Sequence, residues 1–102
     1  MNRIYRFTAD ADDDFIAIWL DTEERWGEQQ ADIYLDELHE GCQRIADDIA
    51  ATRPVEGLEA IRCYRCRHHF LFYTVSAHEI VIIAALHERM DMVKRLIERL
   101  SI

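Results

Sequence analysis

From Ala11 to Trp26 apolar side chains return every three or four positions, at Ala11, Phe15, Ile18, Trp19 and Trp26, which is the spacing of one face of a helix. Asp10, Asp12, Asp13 and Asp14 crowd its start, where the helix dipole favours negative charge, and Thr8 or Asp10 offers a side-chain oxygen to the free amides of the first turn. Gly27 ends the helix, because glycine enters the left-handed region without a Cβ penalty. The stripe then resumes at Ala31, Tyr34, Leu35, Leu38, Cys42, Ile45, Ala46 and Ile49 and predicts a longer second helix. With almost nothing between them, the two helices should fold back as an antiparallel hairpin. Ahead of both, the alternation of Arg3–Thr8 predicts a short first strand.

After position 50 the period changes. Residues 51–57 (ATRPVEG) break the pattern and read as the longest loop. Three runs rich in aromatic and β-branched residues follow, at 58–64, 67–75 and 79–87, and predict three strands. Arg65–Cys66–Arg67 falls at the turn between the first two, and residues 76–78 are short enough for a second hairpin. The tail places Val93, Leu96, Ile97 and Leu100 at helical spacing and predicts a short closing helix. The expected order is β-α-α-β-β-β-α. That order implies an α+β fold, with the helical hairpin on one face of a small, largely antiparallel sheet and residues 1–102 forming a single domain.

Half of the 102 residues are apolar, with three glycines and one proline, a composition suited to a packed core. The longest apolar run, Ile80–Leu86, is strand-sized, well short of the roughly 18 residues of a membrane span. The start turns acidic at once instead of continuing into an apolar stretch, so a cytoplasmic protein with reduced thiols is expected. The net charge of −8 is unevenly spread: residues 1–52 carry −10 and residues 53–102 carry +2. A non-specific nucleic-acid binder would show a basic field. Here Arg62, Arg65 and Arg67 are the one basic cluster, and the first half would repel phosphate. No direct nucleic-acid binding is expected.

The stretch CYRCRHHFLFYTV, from Cys63, raises the question of a metal site. Zinc needs about four ligands converging within about 2.0–2.3 Å of one point. A single CxxC pair is weak, since strand residues three apart point to opposite faces, and the adjacent His68 and His69 also diverge. The expectation is no metal and no cofactor, with Cys63 partly covered in a hairpin and Cys66 near its turn. Cys42 lies on the apolar stripe and reads as a core thiol.

Taken in order, these residues resemble the ParE branch of the ParE/RelE toxin superfamily. The first half is similar in its strand, its acidic-start helix ending at Trp26 and Gly27, and Ala31, Tyr34 and Leu35 on the second helix. The second half is similar at Arg62, His69, Phe72, Tyr73, Ile80, Ile82, Leu86, His87, Met90 and Asp91. The resemblance covers about residues 3–91 and implies a RelE/ParE-like fold. It also implies the toxin of a type II toxin–antitoxin pair, neutralised by a ParD-like antitoxin in a hetero-oligomer. ParE-like members block DNA gyrase by binding and carry no catalytic machinery.

RelE-like members share the fold but cut mRNA on the ribosome. That chemistry would fall here to His87 as proton shuttle, with Arg62, Arg65 and Arg67 stabilising an anionic phosphate. Against it, no tyrosine follows Tyr73, Glu88 sits beside His87, and the chain is acidic. A third reading is a non-toxic, antitoxin-binding member. Ile16, Trp19, Leu20 and Trp26 supply apolar surface for an antitoxin helix, and tryptophan is enriched at binding hot spots. Arg62 and Arg65 are placed to meet an acidic antitoxin tail. Arg89, Met90 and Asp91, with the tail Met92–Ile102, are the expected target-facing segment.

Overall fold

The computed structural model describes residues 3–100, so Ser101 and Ile102, part of the expected target-facing tail, lie outside the described residues. Its elements are β1 (Ile4–Phe7), α1 (Ala9–Trp26), α2 (Glu28–Ala46), β2 (Arg53–Val55), β3 (Leu58–Cys66), β4 (His69–Val75), β5 (Glu79–His87) and α3 (Met92–Leu100). Thr8 caps α1, its hydroxyl accepting from the Ala11 amide at 3.2 Å. Gly27, at φ +93°, ends α1 and starts α2 in one residue, which leaves the helices no choice but to double back.

The five strands form one sheet in the order β1-β5-β4-β3-β2. β1 runs parallel to β5, and the other three pairings are antiparallel. The segment expected as a loop supplies β2, which pairs Arg53 with Cys63 and Pro54 with Arg62. A proline is tolerated there because β2 is an edge strand and needs no donor on its outer side. Gly57, at φ +83°, makes the tight turn into β3. The following turn starts two residues later than expected, since β3 runs through Cys66 and Arg67 takes the positive φ of 59°.

The sheet buries both faces. Phe15, Ile18, Leu38, Cys42 and Ile45 from the helical hairpin pack on Leu71, Tyr73, Ile80, Ile82 and Ala85. The opposite face gathers Ile61, Cys63, Phe70, Phe72, Ala84 and Leu86 under Leu96 of α3. A register shift between Phe72 and Tyr73 leaves Ile83 as the extra residue on β5. This bulge resets the alternation, so Ile82 and Ala85 both face the hairpin.

The apolar stripes of α2 and α3 bury fewer positions than their spacing suggests. Ile49 lies past the end of α2 and is exposed. Trp26, offered by the sequence as partner-facing surface, is 74% exposed where the last turn of α1 runs out beyond the sheet. In α3 Leu96 is buried, whereas Val93, Ile97 and Leu100 are each about half exposed: the helix rests on the sheet along one narrow line instead of burying the whole stripe.

Candidate functional site

On the outer face of the helical hairpin, Ile16 and Leu20 stand one turn apart and are 58% and 54% exposed. Helical geometry places Asp12 and Asp13 one turn before them and Glu23 and Glu24 one turn after, on the same side. Trp19 is half-buried between the helices, and its indole N–H donates to Asp32 Oδ1 at 2.9 Å. That bond fixes the ring as a wall at the α1–α2 seam, with Ile33 of α2 exposed nearby in sequence. Trp26 stands apart from this pair at the tip of the hairpin. The four apolar residues expected to meet a partner are therefore surface-accessible to different degrees, with Ile16 and Leu20 forming the contiguous patch.

The three arginines expected to act together do not converge. Arg62 turns to the hairpin side of the sheet, where its Nε and Nη2 bond the Thr52 hydroxyl at 3.2 and 3.1 Å. It lines a cavity of about 230 Å³ with Arg3, Asp48 and Tyr73. Arg65 points to the opposite face, over the Phe70 ring at 5.4 Å, and pairs with Glu88. Arg67, in the turn, reaches back to α2 and holds Glu37 with two bonds, Nε–Oε2 at 2.7 Å and Nη2–Oε1 at 2.8 Å. Residues 62 and 65 diverge because successive strand side chains alternate faces.

His87 lies instead in a histidine group at the far end of β4 and β5. Its ring meets His69 edge-on at 5.1 Å and stacks with His68 at 6.4 Å. Its Nδ1 accepts the Arg89 amide at 3.1 Å. His69 is held from the other side by Tyr34, whose hydroxyl sits 2.7 Å from Nδ1. Burial pushes the His69 imidazole down to about 4, with the neighbouring His87 and His68 adding to the effect. With His69 neutral, Tyr34 donates to it. His68 Nδ1 lies 2.8 Å from Glu88 Oε2, and that hydrogen bond, helped by Arg65, holds the Glu88 carboxyl below its ordinary range. Tyr34, His68 and Glu88 were each noted in the sequence, but not as one group with His69 and His87. Tyr34 comes from a helix 35 positions away, and its place on the apolar stripe of α2 does not mark this contact.

Cys63 and Cys66 occupy opposite faces of the sheet, and Cys66 Sγ donates to the Glu37 carbonyl at 3.5 Å. Among the described residues no group of three His, Cys, Asp or Glu side chains is arranged to hold a metal ion.

The family profile described as "ParE toxin of type II toxin-antitoxin system, parDE" matches residues 5–92. Toxin ParE of Escherichia coli is 37% identical over 99 residues, which cover 95% of this chain and 96% of that one. Toxin ParE1 of Caulobacter vibrioides is 35% identical over 88 residues, 85% of this chain and 91% of its own length. The chain belongs to the ParE toxin family. The fold agrees: a structure of the chromosomal ParDE TA system from P. aeruginosa superimposes with a TM-score of 0.73 at 18% identity, covering 83% of this chain and 95% of that one.

In this ParE-family chain, the segment expected to face the target forms the corner between β5 and α3. The Met90 amide donates to the His87 carbonyl at 3.0 Å, and Asp91 Oδ1 accepts from the Lys94 amide at 3.2 Å and so caps α3. Arg89 and Met90 are exposed. No helix of the described residues is long and apolar enough to cross a membrane.

Proposed function

We propose that this ParE toxin inhibits DNA gyrase in the cytoplasm by binding, without catalysis, and is neutralised by a cognate ParD-like antitoxin. Membership of the ParE family over residues 5–92 carries the reading, and the dispersal of the arginines supports its non-enzymatic part. Phosphoryl chemistry at His87 would need cations converging on one anion. Here Arg62 and Arg65 sit on opposite sheet faces, and Arg65 and Arg67 are each held by a glutamate. The antitoxin lays a helix over Ile16, Trp19 and Leu20, with Trp26 at the end of the track, and the exposed corner Arg89–Asp91 faces gyrase.

The test is a gyrase cleavage assay with purified chain, supercoiled plasmid and ATP, followed by denaturation and protease digestion. Linear DNA rising with toxin dose supports the reading. Unchanged plasmid with normal supercoiling by the folded protein overturns it. A ribosome-dependent mRNA nuclease is the second reading, favoured by the Tyr34–His69–His87 group beside Arg65, and cleavage of ribosome-bound message would establish it instead.

A further inference from the structure

The helical hairpin, residues 9–46, carries twelve acidic side chains against two arginines. Part of this charge is used internally. Asp14 and Asp10 meet Arg99, Glu37 meets Arg67, and Asp21 meets Arg25 at 3.3 Å. Asp12, Asp13, Glu23, Glu24, Glu28, Asp36 and Glu40 have no ion pair or side-chain hydrogen bond among the described residues, though Asp13 lies within the field of Arg99. Four of these seven bracket the exposed pair Ile16 and Leu20 on α1.

Helix stability accounts for only some of them. Asp12 lies in the first turn of α1, where its own helix dipole favours an anion. Glu23 and Glu24 lie in its final turns, where the same dipole disfavours them. A patch of two aliphatic side chains framed by carboxylates on both ends is poorly suited to a second copy of itself or to nucleic acid. Two such hairpins would bring like charge onto like charge, and phosphate would be repelled.

We propose that the antitoxin segment lying on this face is a cationic amphipathic helix, with aliphatic residues at i and i+4 over Ile16 and Leu20 and lysine or arginine flanking them on both ends. This rests on the toxin reading above. It is the reverse of an acidic segment meeting the arginines of β3 and the turn after it, where Arg65 and Arg67 already have glutamate partners. The aliphatic contacts supply affinity, and the carboxylate frame sets the register and speeds encounter, because rim charges act mainly on the association rate.

The probe is the product of the reading frame adjacent to the toxin's own, co-expressed with the full chain, purified and immobilised for kinetic binding. Wild type is compared with Glu23→Lys/Glu24→Lys, a pair that suits the helix dipole and so spares the fold. The expected result is an association rate that falls about tenfold or more between low and high salt in wild type. The double variant should bind at least several-fold more slowly at low salt and lose most of the salt dependence. An association rate insensitive to salt and to the substitutions overturns the inference and leaves the toxin reading standing, as does a rate that rises in the variant. If the adjacent product neither binds nor neutralises the chain, the toxin reading itself falls and the inference with it.

Discussion

Asp14 and Arg99, 85 positions apart, close the exposed edge of β5 together. Arg99 Nη1 and Nη2 reach Asp14 Oδ2 and Oδ1 at 2.7 and 3.1 Å, and Nη1 also donates to the Ile83 carbonyl at 3.0 Å. Asp14 Oδ2 in turn accepts the Ala85 amide at 2.9 Å. β1 pairs with β5 only as far as Ile82, so these backbone groups are the ones left without a strand neighbour on that side. Both side chains are largely covered, at 22% and 16% exposed. Asp14→Ala strands a backbone amide and a guanidinium at once and should cost about 2–3 kcal/mol. Arg99→Ala should cost about 1–2 kcal/mol and free α3 to exchange its amides faster than the sheet does. Denaturant unfolding and hydrogen exchange read both effects.

His69 makes stability pH-dependent. Its imidazole titrates at the ordinary 6.5 when unfolded and at about 4 when folded. Between those values the unfolded chain holds the extra proton, so stability rises with pH through the window and is lost as pH falls from 6.5 towards 4. After allowance for solvent screening the loss attributable to this group is about 1–2 kcal/mol. It is measured as the difference in pH dependence between wild type and His69→Phe. Tyr34→Phe removes the hydrogen bond to the neutral ring and should raise the His69 pKa in an NMR titration.

Gly41 packs α2 closely against β3. A Cβ there would lie 3.1 Å from Cys66 Sγ and 3.4 Å from Leu71 and Tyr64 side-chain atoms. Gly41→Ala sets a gain in helix propensity of about 1 kcal/mol against this crowding. The expected net effect is a destabilisation of about 0.5–1 kcal/mol. In a Cys66→Ala background the same change should become stabilising by a similar amount, because the nearest obstructing atom is gone. A double-mutant cycle in urea gives the coupling directly.

His87→Ala combined with Arg65→Ala separates binding from catalysis. If the toxin acts on gyrase by binding, growth arrest in cells should persist at close to wild-type strength provided the variant remains folded. Loss of toxicity with retained gyrase binding would place chemistry at the histidine group. Arg65 exchanges a surface pair with Glu88 and a ring contact with Phe70, so its own truncation should change stability by less than about 1 kcal/mol.

The helices and the three long strands were legible in the sequence because each buries one face, and burial writes a period into the chain. β2 was not: three residues with a central proline carry no alternation, and the strand is recognisable only once β3 lies beside it. Trp26 sat on the apolar stripe by count, yet the stripe overhangs its support at the last turn. The site was less legible than the fold. Arg62, Arg65 and Arg67 look like one cluster when written in a line, but pleating turns them to different faces. His68 and His69 are indistinguishable as letters, and only the fold, which covers His69 and sets His87, His68 and Tyr34 around it, makes one of them the half-buried, neutral ring.

The parallel pairing of β1 with β5 orders events at birth. Ile4 sits beside Glu79, and Phe7 beside Ile82, so β1 has no strand neighbour until β5, more than seventy positions later, has been made. Until then the hairpin holds out Phe15, Ile18, Leu38 and Ile45 with no sheet to cover them. Folding must close a long loop before that contact rewards it. The sheet therefore closes only once β5 has been made, and until then the toxin's helices are open to a partner before its sheet covers them.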